Sequence, residues 1–109
     1  MTTTAQHPAF TALQRSDIET LRRDLTQRIQ RKVSADFGTT DEGQNWALLS
    51  VEDEPLVSVV SGAGVPGPAG VMAADGSAVD EAMEFPVALK VARFIGVRQW
   101  REIKEHAFA

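Results

Sequence analysis

Two short apolar runs in the middle of the chain constrain the fold most. The runs cover residues 46–51 and 56–61, are rich in Val and Leu, and are separated by Glu52-Asp53-Glu54-Pro55. Runs of this kind on either side of a proline-containing turn are typical of a β-hairpin. Neither run alternates cleanly between apolar and polar residues, which indicates that both faces of the hairpin are partly covered. Helices of the same chain, or a partner, must supply that cover.

The N-terminal third predicts one such helix. Its apolar residues recur at three- to four-residue spacing and form a narrow stripe: Ile18, Leu21, Leu25, Ile29 and Val33. Ser16 and Glu19 match a capping box, so we predict a helix over residues 17–34. The polar residues before it predict a flexible arm over residues 1–14, which leaves residues 15–109 as a single domain.

The segments around the central hairpin predict loops and a second hairpin. Residues 37–43 interrupt the helical pattern and indicate a loop, and residues 61–70 are rich in Gly and Pro. Residues 71–74 and 78–85 flank Asp75-Gly76, a sequence typical of a two-residue hairpin turn. A helix that starts at Ala78 is the alternative for residues 78–85, and we favour the strand.

The C-terminal residues predict two consecutive helices. Pro86 suits the first turn of a helix that is apolar on almost all sides and ends at Gly96. From Val97 the chain is charged apart from a stripe that includes Trp100 and Ile103, which predicts a second, surface helix that ends near His106. The expected fold is therefore α+β, with an N-terminal amphipathic helix, a small antiparallel sheet of two hairpins and a C-terminal helical hairpin.

Charge is distributed unevenly along the chain. Residues 37–85 contain no Lys or Arg and nine acidic residues, whereas the segments before and after them carry net charges of +2 and +3 within a total of −4. Six of these acids form two clusters that we predict to be a partner-binding face: Glu52, Asp53, Glu54, Asp80, Glu81 and Glu84. Such a face suits a protein partner with a basic surface.

The side chains available for catalysis are few. The chain has no Cys and no Tyr, and its two histidines, His7 and His106, are far apart in the sequence. We therefore expect no enzyme, no metal site and no cofactor. The glycines of residues 62–67 satisfy the GxGxxG spacing, but Pro66 and Pro68 oppose the helix start that nucleotide binding requires. No apolar run is long enough to span a membrane, and the lack of cysteine fits a cytoplasmic protein.

Three functions remain as hypotheses. The first is a small regulatory or inhibitory accessory protein, encoded by a phage or other mobile element, that binds a protein through the acidic face. The second is a helix-turn-helix-like DNA-binding regulator that uses residues 97–106, with Arg98, Gln99, Arg101 and Lys104 on the nucleic acid. The third is a virion or assembly component that self-associates, and a homodimer through the N-terminal helix is a related expectation.

Overall fold

The computed structural model describes residues 10–39, 44–61, 69–74 and 78–107, and within these ranges it leaves out the side chains of residues 78–83, 106 and 107. The elements in chain order are α1 (Ala12–Ile29), β1 (Ser34–Thr39), β2 (Asn45–Val51), β3 (Glu54–Ser61), β4 (Ala69–Ala73), β5 (Ala78–Met83) and α2 (Phe85–Ala107). The predicted α+β class is confirmed.

The five strands form one antiparallel sheet in the order β1-β2-β3-β4-β5, so each strand pairs with its neighbour in the sequence. The predicted central hairpin is β2–β3, and its two-residue turn consists of Glu52 and Asp53. Both turn residues have positive φ, 49° and 69°, which is typical of a type I′ turn. Leu56 is an extra residue in β3, because Leu49 pairs with Val57 while Ser50 pairs with Pro55. The sheet therefore contains a bulge beside this turn.

Both helices lie on one face of the sheet and run in the same direction. Three contacts between the helices or the residues next to them occur in the same order along both chain segments. The rings of Phe10 and Phe85 are 6.1 Å apart, and a Cβ on Gly96 would lie 3.2 Å from Leu25. Further on, the Arg31 guanidinium lies 5.7 Å from the centre of the Trp100 ring. The helices therefore form a layer of two parallel cylinders over the sheet.

The core lies between this helical layer and the sheet. The helices contribute Leu21, Leu25, Ile29, Ala88, Ala92, Ile95 and Trp100, and the strands contribute Leu49, Val51, Leu56, Val57, Val59, Ala69 and Val71. A smaller cluster of Phe10, Ile18 and Ala47 packs with Phe37 and Phe85 at one end. The stripe predicted from Ile18 to Val33 is buried throughout. Its last member lies beyond the end of α1, so the stripe correctly identified core residues but not the helix end.

Helix α1 begins five residues earlier than predicted. Thr11 is the N-cap, and Thr11 and Gln14 form the capping box, with each side chain accepting a hydrogen bond from the backbone N–H of the other residue. Ser16 lies inside the helix, so the predicted capping box at Ser16 and Glu19 was wrong. Phe10 is buried in the smaller cluster and fixes the chain at the earlier start. The predicted arm therefore extends too far, and residues 1–9 lie outside the described residues.

Helix α1 also ends earlier than predicted, because side chains of its last turns hold the chain in a sharp turn. Gln30 adopts a left-handed conformation with φ 59°, which ends the helix. The Thr26 hydroxyl accepts a hydrogen bond of 3.1 Å from the Val33 N–H, and Arg22 donates one of 3.0 Å to the Val33 carbonyl. Strand β1 then begins at Ser34, so residues 37–39 form part of a strand instead of the predicted loop.

Glu19 holds Arg22 in the position that this turn requires. The Arg22 Nε donates a hydrogen bond of 2.8 Å to Glu19 Oε1. This hydrogen bond lowers the pKa of Glu19, while the same bond raises the pKa of Arg22. The pair therefore links α1 to the residue that precedes β1.

The second predicted hairpin is present as β4 and β5, which confirms the strand for residues 78–83. Pairing between the two strands is irregular, with register shifts on both sides of Val71. The predicted Asp75-Gly76 turn, residues 62–68 with the GxGxxG spacing, and residues 40–43 of the predicted loop lie outside the described residues.

The predicted C-terminal helical hairpin is wrong, because Phe85–Ala107 is one continuous helix. Gly96 lies inside that helix and does not end it. A Cβ at Gly96 would lie 3.2 Å from Leu25 Cδ2 and 3.5 Å from Val57 Cγ1. Glycine is therefore used here for close packing of α2 against α1 and β3, and the helix-turn-helix outline is absent from residues 85–107.

Candidate binding surfaces

The uneven charge of the sequence becomes a difference between layers in the fold. The two helices carry nine Lys and Arg residues against five Asp and Glu, a net charge of +4. All other residues together carry two cations, Arg31 and Lys32, against ten acids, a net charge of −8. The helices therefore carry an excess of positive charge. Outside them, five acids have described side chains against two cations, so this part of the structure carries an excess of negative charge.

The sheet face opposite the helices is the first candidate surface. Side chains alternate between the faces of a strand, so neighbours of the buried core residues point away from the helices. Two cross-strand rows result, one of Gly38, Trp46, Val60 and Gly70 and the other of Asp36, Leu48, Ser58 and Met72. We call these eight residues the open face. Its four large apolar side chains are partly exposed: Trp46, Leu48, Val60 and Met72.

Trp46 extends the apolar part of the open face to the edge of the sheet. Gly38 on edge strand β1 pairs with Trp46, and a Cβ at Gly38 would overlap Trp46 Cζ2. The indole ring therefore lies directly on the backbone of β1, where only glycine leaves room for it. The apolar surface is continuous across β1 and β2 as a result.

The predicted acidic face is not assembled as one cluster. Glu52, Asp53 and Glu54 are exposed at the β2–β3 turn, at one end of the sheet. Glu84 follows β5 at the opposite end, because Met83 pairs with Ala69 and the β5 strand runs away from that turn. Asp80 and Glu81 lie on the edge strand β5. The six acids thus lie at three separate places: one end of the sheet, its opposite end and an edge strand.

A cleft of about 460 Å³ lies where the β2–β3 turn meets the end of α2. Arg31 donates a hydrogen bond of 3.2 Å to Glu52 and lies over the ring of Trp100, whose Nε1 has no acceptor among the described residues. Lys104 also lines this cleft. Lys104, one of the four residues predicted to bind nucleic acid, therefore lies in the same cleft as two acids, Glu52 and Glu54.

The second candidate surface is a groove on the outer side of the helical layer. Its lining consists of four arginines and two apolar residues around a volume of about 280 Å³: Arg28, Arg93, Phe94, Val97, Arg98 and Arg101. We call it the arginine groove. Arg93 also lines a wider depression of about 610 Å³ between the first halves of the helices, where Arg23 and Lys90 lie beside two acids, Asp17 and Asp24. Cations therefore follow the helix pair over most of its length.

The arginine groove contains two of the four residues predicted to bind nucleic acid. Arg98 and Arg101 line it, whereas Gln99 is partly buried on another side of α2. Arg28, Arg93 and Phe94 were not among the binding residues predicted from the sequence. The signal was the spacing of Phe94, Arg98 and Arg101, which places them on one face of a helix that continues through Gly96.

Two structural features bear on other functions. Among the described side chains, no group of three or more His, Cys, Asp or Glu residues could hold a metal ion. Neither α1 nor α2, as far as the structure describes them, is long and apolar enough to cross a membrane.

Comparison with models of known protein families, with curated proteins and with solved structures finds no match to this chain. Its function is therefore inferred from these surfaces.

Proposed function

We propose that the protein is a non-enzymatic accessory protein that binds a protein partner through the open face of its sheet. The main supporting observation is that the described helices cover one face of the sheet only. On the other face Trp46, Leu48, Val60 and Met72 remain partly exposed. Contiguous apolar surface with a polar surround is typical of protein interaction sites.

The charges around the open face indicate the chemistry of the partner. Asp36 lies on the open face itself, and Glu52, Asp53 and Glu54 are exposed at one end of the sheet. A partner with an apolar centre and a cationic rim would complement this arrangement, and its approach would be accelerated by charge. A second copy docked through the same face would set acid against acid, so we propose a different protein as the partner.

The proposed role follows from that complementarity. An acidic protein that occupies a basic surface blocks whatever anion this surface otherwise binds, which makes a regulatory or inhibitory role our proposal. The chain has no cysteine, which suits the reducing cytoplasm, so the partner is expected there.

A charged substitution on each layer tests the surface. Leu48→Asp places a carboxylate in the middle of the open face, and Leu13→Asp places one on α1, where Leu13 is 72% exposed. The partner is isolated from cytoplasmic extract of the host, identified and purified, and its dissociation constant for each variant is measured by calorimetry. We expect Leu48→Asp to weaken binding at least about 30-fold, as for a central interface residue, and Leu13→Asp to leave it unchanged. Equal affinities of the two variants would refute the proposed surface.

Neutralising the acidic turn tests the charge complementarity. In the triple variant Glu52→Gln, Asp53→Asn and Glu54→Gln, we expect slower association with the partner and a weaker dependence of the rate on salt. The matched control removes the same charge from the helical layer through Asp17→Asn, Glu102→Gln and Glu105→Gln. Association rates that fall equally in both triple variants would show that total charge matters and the acidic turn does not.

A further inference from the structure

The arginine groove carries a second inference, independent of the open face. We infer that this groove binds single-stranded nucleic acid, with guanidinium groups on the phosphates and Phe94 against a base. The groove lies on the helical layer, so it leaves the open face accessible to the proposed protein partner.

The groove holds an excess of positive charge that the acids with described side chains do not neutralise. Asp24 accepts hydrogen bonds from Arg28 at 3.0 Å and from Arg93 at 3.4 Å, so one carboxylate serves two guanidinium groups. Arg98 and Arg101 form no ion pair with any described acid. Four cations and one anion leave a net charge of +3 in a small volume, which attracts a polyanion.

Phe94 gives the groove a second property that a purely electrostatic site lacks. Its side chain is 65% exposed although it lies on a helix whose other face is deeply buried. Proteins that bind single strands combine a cationic groove with aromatic side chains on which bases stack. Arginine strengthens this combination, because its planar guanidinium group stacks on bases and also binds phosphate through two parallel hydrogen bonds.

The shape of the site favours a flexible strand. The cations continue from Arg101 back to Lys90 and Arg23, with Asp17 and Asp24 between them. Residues 86–101 of α2 alone cover about 22 Å at the helical rise per residue. A strand of several nucleotides can follow such a line. The groove has a volume of about 280 Å³, and we expect an unpaired base to be the part of the strand that enters it. A duplex keeps its bases stacked inside, and an acidic peptide offers carboxylates without planar rings, so neither would use Phe94.

Anisotropy titrations with three labelled probes test the inference on the full chain. The probes are a 15-nucleotide oligothymidine, a duplex of equal length and a poly-glutamate peptide of matched charge. We expect the single strand to bind most tightly. Phe94→Ala is expected to weaken its binding roughly 5- to 100-fold, the range for loss of one stacked base. Val87→Ala removes another exposed apolar side chain of α2 and serves as the matched control, with no change expected.

The arginine variants separate charge from stacking. Arg98→Ala with Arg101→Ala should weaken binding and reduce the slope of log affinity against log salt by about 1.4, the value for two lost contacts to a single strand. Arg98→Lys with Arg101→Lys should retain that slope and still weaken binding. All these residues are exposed or half-buried, so circular dichroism should show an unchanged fold.

Two results would overturn the inference. One is binding of the poly-glutamate or duplex probe as tight as that of the single strand, and the other is unchanged single-strand affinity in Phe94→Ala. Neither result affects the proposed open face. Conversely, Leu48→Asp should leave single-strand binding intact, so the two proposals can fail separately.

Discussion

Leu48 and Leu49 are neighbours on the same strand, yet they belong to the two faces of the sheet that differ most. Leu49 is completely buried between the sheet and the helical layer, whereas Leu48 is partly exposed on the open face. The same residue type in the same strand therefore serves the stability of the fold on one side and is available to a partner on the other. Substituting each of the two leucines in turn therefore distinguishes a role in stability from a role in partner binding.

The largest expected effect is the difference between these two leucines. Leu49→Ala should lower the free energy of unfolding by about 2–5 kcal/mol, because it removes buried methyl groups and leaves a cavity. Leu48→Ala should lower it by less than about 1 kcal/mol, as expected at a partly exposed position. Urea denaturation followed by circular dichroism measures both. Similar losses from the two substitutions would mean that the open face is as important to folding as the covered face.

Two glycines allow the same comparison of the covered face and the open face, because each leaves room for a neighbouring side chain. Gly96→Val should cost about 1–3 kcal/mol, because the new methyl groups would press on Leu25 and Val57 in the close-packed core. Gly38→Ala should cost less, because Trp46 can turn outward into solvent. Thermal unfolding measures the first effect.

The second glycine also has a spectroscopic signature. In Gly38→Ala the displaced indole of Trp46 should give fluorescence at longer wavelength, and the background Trp100→Phe removes the signal of the other tryptophan. An unchanged emission maximum in that background would contradict the placement of Trp46 on the β1 backbone.

A smaller effect is expected at the turn that joins β2 to β3. Glu52 and Asp53 both have positive φ, a conformation that Asn and Gly adopt more easily. Glu52→Asn with Asp53→Gly should therefore stabilise the protein by up to about 1 kcal/mol. Because the change also removes two charges, Glu52→Gln with Asp53→Asn is a useful control for their contribution. A loss of stability in Asp53→Gly alone would be inconsistent with a type I′ turn.

The smallest effect concerns the link between α1 and β1 on the covered side. The pKa of Glu19 is lowered in the folded state by its hydrogen bond with Arg22, so its contribution is present above the unfolded pKa and is lost as pH falls through the folded pKa. Since the pair is partly exposed and screened by solvent, Glu19→Gln should cost less than about 1 kcal/mol at pH 7. The difference from the wild type should close below about pH 4. A difference that persists at pH 2 would assign the effect to something other than this charge.

The sequence predicted the sheet and core better than the ends of the helices. Short apolar runs and a three- to four-residue period both depend on burial, so the β2–β3 hairpin and the stripe from Ile18 to Val33 were recognisable. Two capping boxes compete at the start of α1, and Phe10 decides between them by packing with Phe37 and Phe85. That contact joins residues distant in the sequence, and no local pattern reveals it.

Gly96 shows why the candidate surfaces were harder to predict. A glycine after an apolar helix is typical of a helix end, and here tertiary packing against Leu25 and Val57 overrides that local preference. The continuous helix aligns Phe94 with Arg98 and Arg101, whereas a predicted turn at Gly96 separates them. The open face could be identified only from the register of the sheet. The sequence indicated that both faces of the hairpin are covered, but it did not indicate what covers each face.

Photo-crosslinking in the host tests the central proposal most directly. A photoreactive amino acid is placed at position 48 or 60 on the open face, or at position 87 on α2, where Val87 is exposed. After irradiation, the crosslinked proteins are identified by mass spectrometry. We predict that positions 48 and 60 give the same partner protein and that position 87 does not. Crosslinking of that partner from position 87 alone would contradict docking on the open face.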